Sequence, residues 1–284
     1  MTERLRSFAF FPGAMVFPGG AVEPCDAVSA ASSWSKDRRI LDIPDFSFRH
    51  AAIRETFEET GLLVSLSSSP KVSQEDLRLL RRDLSAFRKE NDPSGALKTE
   101  RLLSFFKSSG LHPDVGHLVP FARWITPVRE TRRFDTFFFT CEMDSSAENG
   151  HAQGICESDG QETARIVWMS LQDTINSCRL PAPTWYLLQH LQGQLQRTKD
   201  KNSREWQPAN TFDCPWIPEF APNDNTLLYL PSDALHSSQQ SAHSELPDKP
   251  LPLQKQRLHI NRLTEPYPQW KVKLETGDFC LDGK

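Results

Sequence analysis

The chain has no C-x-x-C pair, no apolar run of membrane-spanning length and no large excess of either charge. Its six cysteines, Cys25, Cys141, Cys156, Cys178, Cys214 and Cys280, are scattered over 284 residues. That pattern argues against a secreted disulfide framework and against a cysteine-based zinc site; reduced thiols inside a cell fit it better. The formal net charge of −4 gives no general reason to expect nucleic acid or an anionic membrane as partner. No segment reaches the roughly 20 apolar residues of a spanning helix. Apolar residues are only 38% of the chain and there are 21 prolines, so a real core diluted by long polar loops is expected. The start, Arg4 and Arg6 before Ser7–Phe11, faintly resembles a signal peptide, but Pro12-Gly13 interrupts it at once.

What is there reads as a mixture of helices and strands. Phe8–Phe17 reads as strand, turn, strand, ending at Pro18-Gly19-Gly20, and Asp26–Asp45 reads as a polar loop. A helix follows from about Ser47 to Thr60, with Asp45 or Ser47 as N-cap and Gly61 as the left-handed stop. Leu62–Val64 begins a strand. Leu77, Leu79, Leu80, Leu84 and Phe87, then Leu102, Leu103, Phe105 and Phe106, recur at helical spacing and predict a helical pair over 73–110. Leu118–Val128, Phe134–Met143 and Ala164–Met169 read as strands, with residues 144–161 as a mobile loop. Helices are expected at Leu171–Ser177 and Pro183–Leu195. Beyond residue 200 the signal weakens to short strands at Thr226–Leu230 and Leu258–Asn261 and a disordered linker at Ser232–Pro250.

The chemistry gathers on Arg54-Glu55-Thr56-Phe57-Glu58-Glu59-Thr60-Gly61. At 100° per residue Ile53, Thr56, Phe57 and Thr60 share one face, and Glu55, Glu58 and Glu59 the opposite one. Like charges at i,i+3 and i,i+4 disfavour a helix by a few tenths of a kcal/mol per pair, which invites a compensating cation. Carboxylate oxygens suit Mg²⁺ or Mn²⁺, and Arg54 can reach and orient Glu58. Taken alone, the same residues also describe a solvated helix face.

With Phe17-Pro18-Gly19-Gly20 upstream, the sequence resembles the Nudix hydrolase family, whose signature is G-x5-E-x7-R-E-U-x-E-E-x-G-U, U being aliphatic. Gly20, Arg54, Glu55, Glu58, Glu59, Gly61 and Leu62 fit it. Asp26 stands where the first glutamate belongs, and 28 positions rather than eight separate it from Arg54, so a 20-residue insertion (27–46) splits the motif. Thr56 replaces the aliphatic residue. The split box, the Phe11–Gly20 segment, Trp124-Ile125-Thr126-Pro127 and Arg132-Arg133-Phe134-Asp135-Thr136 narrow the resemblance to the peroxisomal coenzyme A diphosphatase (Nudix motif 19) subgroup.

The resemblance implies an α+β Nudix fold, a mixed β-sheet sandwiched between helices, over residues 1–198, with the helical insertion at 73–110. Residues 199–284 would be an irregular, partly disordered C-terminal extension. The family usually opens with a strand, for which the first twenty residues leave little room. The resemblance also implies Mg²⁺- or Mn²⁺-dependent hydrolysis of a diphosphate, in coenzyme A or its acyl esters, to 3′,5′-ADP and a 4′-phosphopantetheine product. Metal ligands would be Glu58 and Glu59, with Glu55 as ligand or base and the Gly19 carbonyl adding a ligand; Arg54, Gly20 and Gly61 would orient them. Glu162 is a second candidate base, or else a solvated loop carboxylate. Arg132 and Arg133 would contact substrate phosphates, or else one of them pairs with Asp135 in a structural hairpin. His50 reads as a packing or surface histidine. The alternatives are another nucleoside diphosphate derivative as substrate, or a catalytically impaired nucleotide-binding module. An intracellular location follows, peroxisomal by resemblance alone because Asp282-Gly283-Lys284 is no peroxisomal signal, and otherwise cytosolic or mitochondrial.

Overall fold

Gly61 decides where the central helix stops. In the computed structural model of the protein this helix runs Phe46–Thr60, and Gly61 follows in the left-handed conformation (φ 74°), its N–H donating to the Phe57 carbonyl at 2.7 Å. Glycine takes that conformation without a Cβ penalty. At the other end Asp45 is the N-cap residue, but it is left-handed (φ 59°) and makes no side-chain capping bond. The capping expected of Asp45 or Ser47 is therefore absent, and the helix is held by what it buries.

The structure describes residues 1–7, 12–28, 32, 38–66, 72–87, 91–142, 152–154, 157–158, 160, 162–201, 209, 213, 215–231, 237, 254–263 and 269–278. In chain order their elements are β1 (Thr2–Arg4), β2 (Met15–Val16), a 3₁₀ turn (Pro24–Asp26), α1 (Arg38–Leu41), α2 (Phe46–Thr60), β3 (Leu62–Leu66), α3 (Gln74–Ala86), α4 (Ala96–Ser109), β4 (His112–Pro113), β5 (Val119–Ile125), β6 (Asp135–Thr140), β7 (Ala152–Gly154), β8 (Thr163–Ile166), α5 (Leu171–Ser177), α6 (Ala182–Lys201), β9 (Glu219–Ala221), β10 (Asp224–Tyr229), β11 (Gln254–Leu263) and β12 (Gln269–Asp278). This is a mixed α+β architecture with several small sheets. The chain divides into two compact units, residues 1–119 with 139–169, and residues 120–138 with 170–284.

The first unit carries two three-stranded antiparallel sheets, ordered β2-β1-β8 and β4-β3-β7. Two expectations are corrected here. Thr2–Arg4 does form an opening strand, with Thr2 opposite both Val16 and Ile166. Ala152–Gly154, expected in a loop, pairs with Leu62–Val64. Likewise α1 interrupts the stretch expected as a loop before Asp45.

The core of this unit joins Phe46, Ile53 and Phe57 of α2 to Leu63 and Val64 of β3. Leu77, Leu80 and Leu84 of α3, and Leu102, Phe105 and Phe106 of α4, close over them. Full burial of each such side chain contributes roughly 1.5–3 kcal/mol, more than the missing N-cap forfeits, about 1 kcal/mol. At the start of α3, Ser73 and Asp76 exchange reciprocal capping bonds, Asp76 N–H to Ser73 Oγ at 3.1 Å and Ser73 N–H to Asp76 Oδ2 at 3.0 Å.

The second unit pairs β5 with β6 and carries an antiparallel sheet ordered β12-β11-β10-β9. Its core packs Trp124, Ala182, Tyr186, Leu228 and Leu230, with Trp216 against them. Trp124 meets the rings of Tyr186 and Trp216 edge-on, with centroids 6.0 Å apart in each case. The strand expected at Thr226–Leu230 overlaps β10, which ends at Tyr229, and that at Leu258–Asn261 lies within the longer β11. The linker expected at 232–250 falls outside the described residues except for Ser237. No described helix is long and apolar enough to cross a membrane.

Phe106 is 2% exposed and Leu97, on the same helix, 47%. Phe106→Ala is expected to lower unfolding free energy by about 3–5 kcal/mol, and Leu97→Ala by about 0.5 kcal/mol or less, in urea denaturation followed by circular dichroism.

Candidate active site

Pro24–Asp26 is a single tight turn, and it delivers Asp26 into the interior with 0% exposure. An ionised carboxylate survives there only if its oxygens are satisfied. Asp26 Oδ2 accepts the Glu23 N–H at 2.8 Å and Arg54 Nη2 at 2.9 Å; Oδ1 accepts Arg54 Nε at 2.9 Å and lies 2.8 Å from His50 Nδ1. Burial works to raise the Asp26 carboxyl, but the hydrogen bonds from His50 and Arg54 outweigh it and hold it down at about 2. His50 is thus a buried partner of Asp26, stacked on Phe46 at 5.9 Å between centroids.

Arg54, 3% exposed, spends its remaining donors across the site. Nη1 reaches Glu55 Oε1 at 2.9 Å and, one helical turn on, Glu58 Oε1 at 3.0 Å; Nη2 also reaches the Ala21 carbonyl at 2.9 Å. Arg54 and Glu58 thus make the contact that their i,i+4 spacing allows. One nitrogen bonds both carboxylates, so their oxygens stand within about 6 Å of one another.

Gly20 packs directly against Glu55. A Cβ at position 20 would stand 2.5–2.6 Å from the carboxyl atoms of Glu55, so no other residue fits without displacing that side chain. Gly19 beside it has φ 153° and open space where a Cβ would be. Burial, then repulsion from Glu58, raise the Glu55 carboxyl to about 7 against the pull of Arg54.

The expected face of three carboxylates is only partly assembled. Glu55 and Glu58 stand together with side chains 16% and 15% exposed, whereas Glu59 is buried at 6%. Among the described residues no group of three His, Cys, Asp or Glu has metal-holding spacing. Arg81 of α3 ties down the C-terminal end of α2, donating to the Glu58 carbonyl at 2.8 Å and the Glu59 carbonyl at 2.7 Å. The donor chemistry nevertheless fits a hard divalent cation. Among the described residues, Glu23, Asp26, Glu55 and Glu58 are met by the cations Arg54 and Lys98, with His50 also on Asp26, which leaves a charge deficit of two when all four are ionised and His50 is neutral.

Lys98 and Glu23 were not legible as site residues. Lys98, on α4, is 4% exposed, and its Nζ lies 2.8 Å from Glu23 and 3.3 Å from Glu58 Oε1. Burial disfavours its charge, but Glu58 and Glu23 hold the ammonium above its ordinary value.

Glu162 is an exposed residue at the entry to β8, its carbonyl accepting the Leu5 N–H at 3.0 Å. Arg132 and Arg133 lie in the second unit on the exposed β5–β6 turn, where Arg133 Nε donates to the Thr126 carbonyl at 3.1 Å. The pairing of Asp135 with one of them is corrected: Arg123 of β5 takes it with Nε at 2.8 Å and Nη2 at 2.7 Å, because Asp135 opens the strand opposite. Among the described cysteines Cys25 and Cys141 are free thiols. Burial, with Asp26 adding to it, pushes Cys25 up to about 12, so it packs rather than reacts.

Two outcomes follow. Asp26 titrates at about 2 when folded and near 3.8 ordinarily. Its contribution, about 2 kcal/mol, is therefore complete above pH 4 and lost as pH falls from 4 to 2. Asp26→Asn should flatten that part of the stability profile, measured by urea denaturation at stepped pH, and should cost about 3–5 kcal/mol at pH 7 because Arg54 is left buried. Gly20→Ala should preserve the fold but displace Glu55, and would weaken by roughly 10–100-fold any divalent ion that Glu55 helps to hold, measured in calorimetry with Mn²⁺.

Residues 30–186 match the family model for the NUDT19 Nudix domain. An acyl-coenzyme A diphosphatase NUDT19 from Gallus gallus is 30% identical over 216 residues, 61% of this chain and 54% of that protein. The Xenopus laevis protein of the same name is 25% identical over 239 residues, 67% of this chain and 58% of that one. The chain thus spans a little over half the length of these curated relatives. A crystal structure of a Nudix hydrolase from Alicyclobacillus acidocaldarius is 24% identical, with a TM-score of 0.48, covering 67% of this chain and 81% of that one. Nudix hydrolases generally use divalent metals. With more than half of its length inside the family model, and with Arg54, Glu55, Glu58 and Glu59 inside the matched span, the chain belongs to the NUDT19 Nudix domain family.

Proposed function

We propose that the chain hydrolyses the diphosphate of coenzyme A and its acyl esters in the presence of Mg²⁺ or Mn²⁺, releasing 3′,5′-ADP and a 4′-phosphopantetheine product. The observation that carries this reading is Arg54 holding Glu55 and Glu58 side by side, with Gly20 pressed on Glu55. A purely structural helix has no use for two carboxylates kept together at the expense of mutual repulsion. The substrate follows the family and its relatives named as acyl-coenzyme A diphosphatases.

Glu58 and Glu59, with the Gly19 carbonyl, would hold the metal, and Glu55 would be either a further ligand or the base. When bound, such an ion polarises phosphoryl oxygens and eases deprotonation of water. The rest falls to side chains. Glu55, held near 7, is matched to accepting a proton from the attacking water near neutral pH, with Glu162 as the second candidate base. Arg132 and Arg133 would hold substrate phosphate oxygens, for which a guanidinium offers paired donors.

The test is a substrate panel with Mn²⁺ on wild type and Glu59→Gln together. It comprises coenzyme A, acyl-coenzyme A, nucleotide sugars and dinucleotides. The expected result is Mn²⁺-dependent release of 3′,5′-ADP, lowered in Glu59→Gln by at least the ~10–100-fold that loss of a metal's supporting group costs. No cleavage of any coenzyme A ester with either metal, or faster cleavage of another diphosphate, would overturn the substrate assignment.

A further inference from the structure

Lys98 is no part of the signature, yet its ammonium is seated among the carboxylates. It lies 2.8 Å from Glu23 and 3.3 and 3.4 Å from the two oxygens of Glu58. Its side chain is 5% exposed, and a lysine is buried to that degree only when paired. The seat is built. Asp92 accepts the N–H groups of Leu97 at 3.3 Å and Lys98 at 2.9 Å, fixing the first turn of α4. Gly95 before it is left-handed (φ 68°), and a Cβ there would stand 3.1–3.3 Å from the ring of Pro24, the neighbour of Glu23. The start of α4 is therefore docked on the turn that carries Asp26, with Lys98 aimed at Glu58.

We propose that Lys98 is a tethered counter-ion that competes with the divalent cation for Glu58, neutralising it in the metal-free protein and leaving it for Glu23 when the metal arrives. This rests on Glu58 being a metal ligand. The ammonium spans both oxygens of Glu58, and Arg54 already occupies one of them. A divalent ion needs a carboxylate oxygen at about 2 Å, which would bring it close to the ammonium in a site poor in water, where like charges repel strongly. Glu23 offers the ammonium an alternative: it is the shorter contact and, at 37% exposure against 15% for Glu58, the more solvated one. Without Lys98, Glu23, Glu55 and Glu58 would repel one another in the empty site. The lysine therefore stabilises the metal-free fold and opposes the metal, two effects of opposite sign.

The test compares wild type, Lys98→Gln and Lys98→Arg by thermal melting in EDTA, melting with saturating Mn²⁺, and Mn²⁺ calorimetry. Lys98→Gln should melt roughly 5 °C or more lower in EDTA, with the deficit closing under Mn²⁺. It should bind Mn²⁺ at least ~5-fold more tightly, while Lys98→Arg, which keeps the charge, stays near wild type. Equal or weaker Mn²⁺ binding by Lys98→Gln, with a melting deficit that Mn²⁺ leaves in place, would show that Lys98 merely supports Glu58 and would sink the proposal. Should Lys98→Gln fail to fold in EDTA, Mn²⁺ at concentrations saturating wild type must refold it; failure to do so also counts against competition. Wild type that binds no Mn²⁺ would instead overturn the metal-ligand role of Glu58, and the proposal with it.

Discussion

Arg54 has five N–H groups, and each is committed: two to Asp26, one to the Ala21 carbonyl, one to Glu55 and one to Glu58. A buried guanidinium is tolerated only when paired, and Asp26, itself fully buried, is tolerated only by the same bonds. Neither can be removed alone. The segment from Gly20 to Asp26 is consequently pinned to α2, and the approach of Gly20 to Glu55 is a geometric result of that pinning. Helix packing sets where α2 lies; Arg54 sets what lies against it.

The same guanidinium separates two carboxylates by character. Asp26 receives two of its bonds, plus His50 and a backbone N–H, and is held at about 2. Glu55 receives one, faces Glu58 and is desolvated, and rises to about 7. A pair of like groups pushed apart in this way marks which can exchange a proton near neutrality and which cannot. Asp26 fills the signature's first acidic position as a permanent anion, and the exchangeable carboxyl lies at Glu55.

Much of this was legible in the sequence because the relevant patterns are local. Leu77, Leu80 and Leu84 spell a helix through spacing alone, Gly61 marks a helix end, and Arg54 and Glu58 are neighbours by virtue of a four-residue separation. What was not legible depends on distant contacts. β1 and β7 are three-residue strands whose existence comes from their partners, Ile166 and Val16 for Thr2, and Leu62–Val64 for Ala152–Gly154. Glu59 shares a face with Glu55 and Glu58 on a helical projection, yet it is 6% exposed, because what covers that face comes from distant segments. Lys98 could not be singled out, since nothing nearby in sequence announces Glu23 and Glu58. His50 read as a packing residue because its partner, Asp26, is 24 positions away.

The insertion that splits the box is the remaining puzzle, and magnitudes resolve it. Closing the contact between Asp26 and Arg54 spans 28 positions instead of the eight of the unsplit signature. Loop-closure entropy grows only as (3/2)RT ln n, so the longer span adds about 1 kcal/mol. Breaking a buried ion pair by removing one partner costs about 3–5 kcal/mol. The pair therefore outweighs the added entropy, and the two halves of the motif stay joined in space though not in sequence. Gly20 and Asp26 fall outside the matched span of 30–186 and yet stand against Glu55 and Arg54. The buried bonds of Arg54, rather than linear spacing, hold the signature together, and insertions after Asp26 are tolerated as long as those bonds can close.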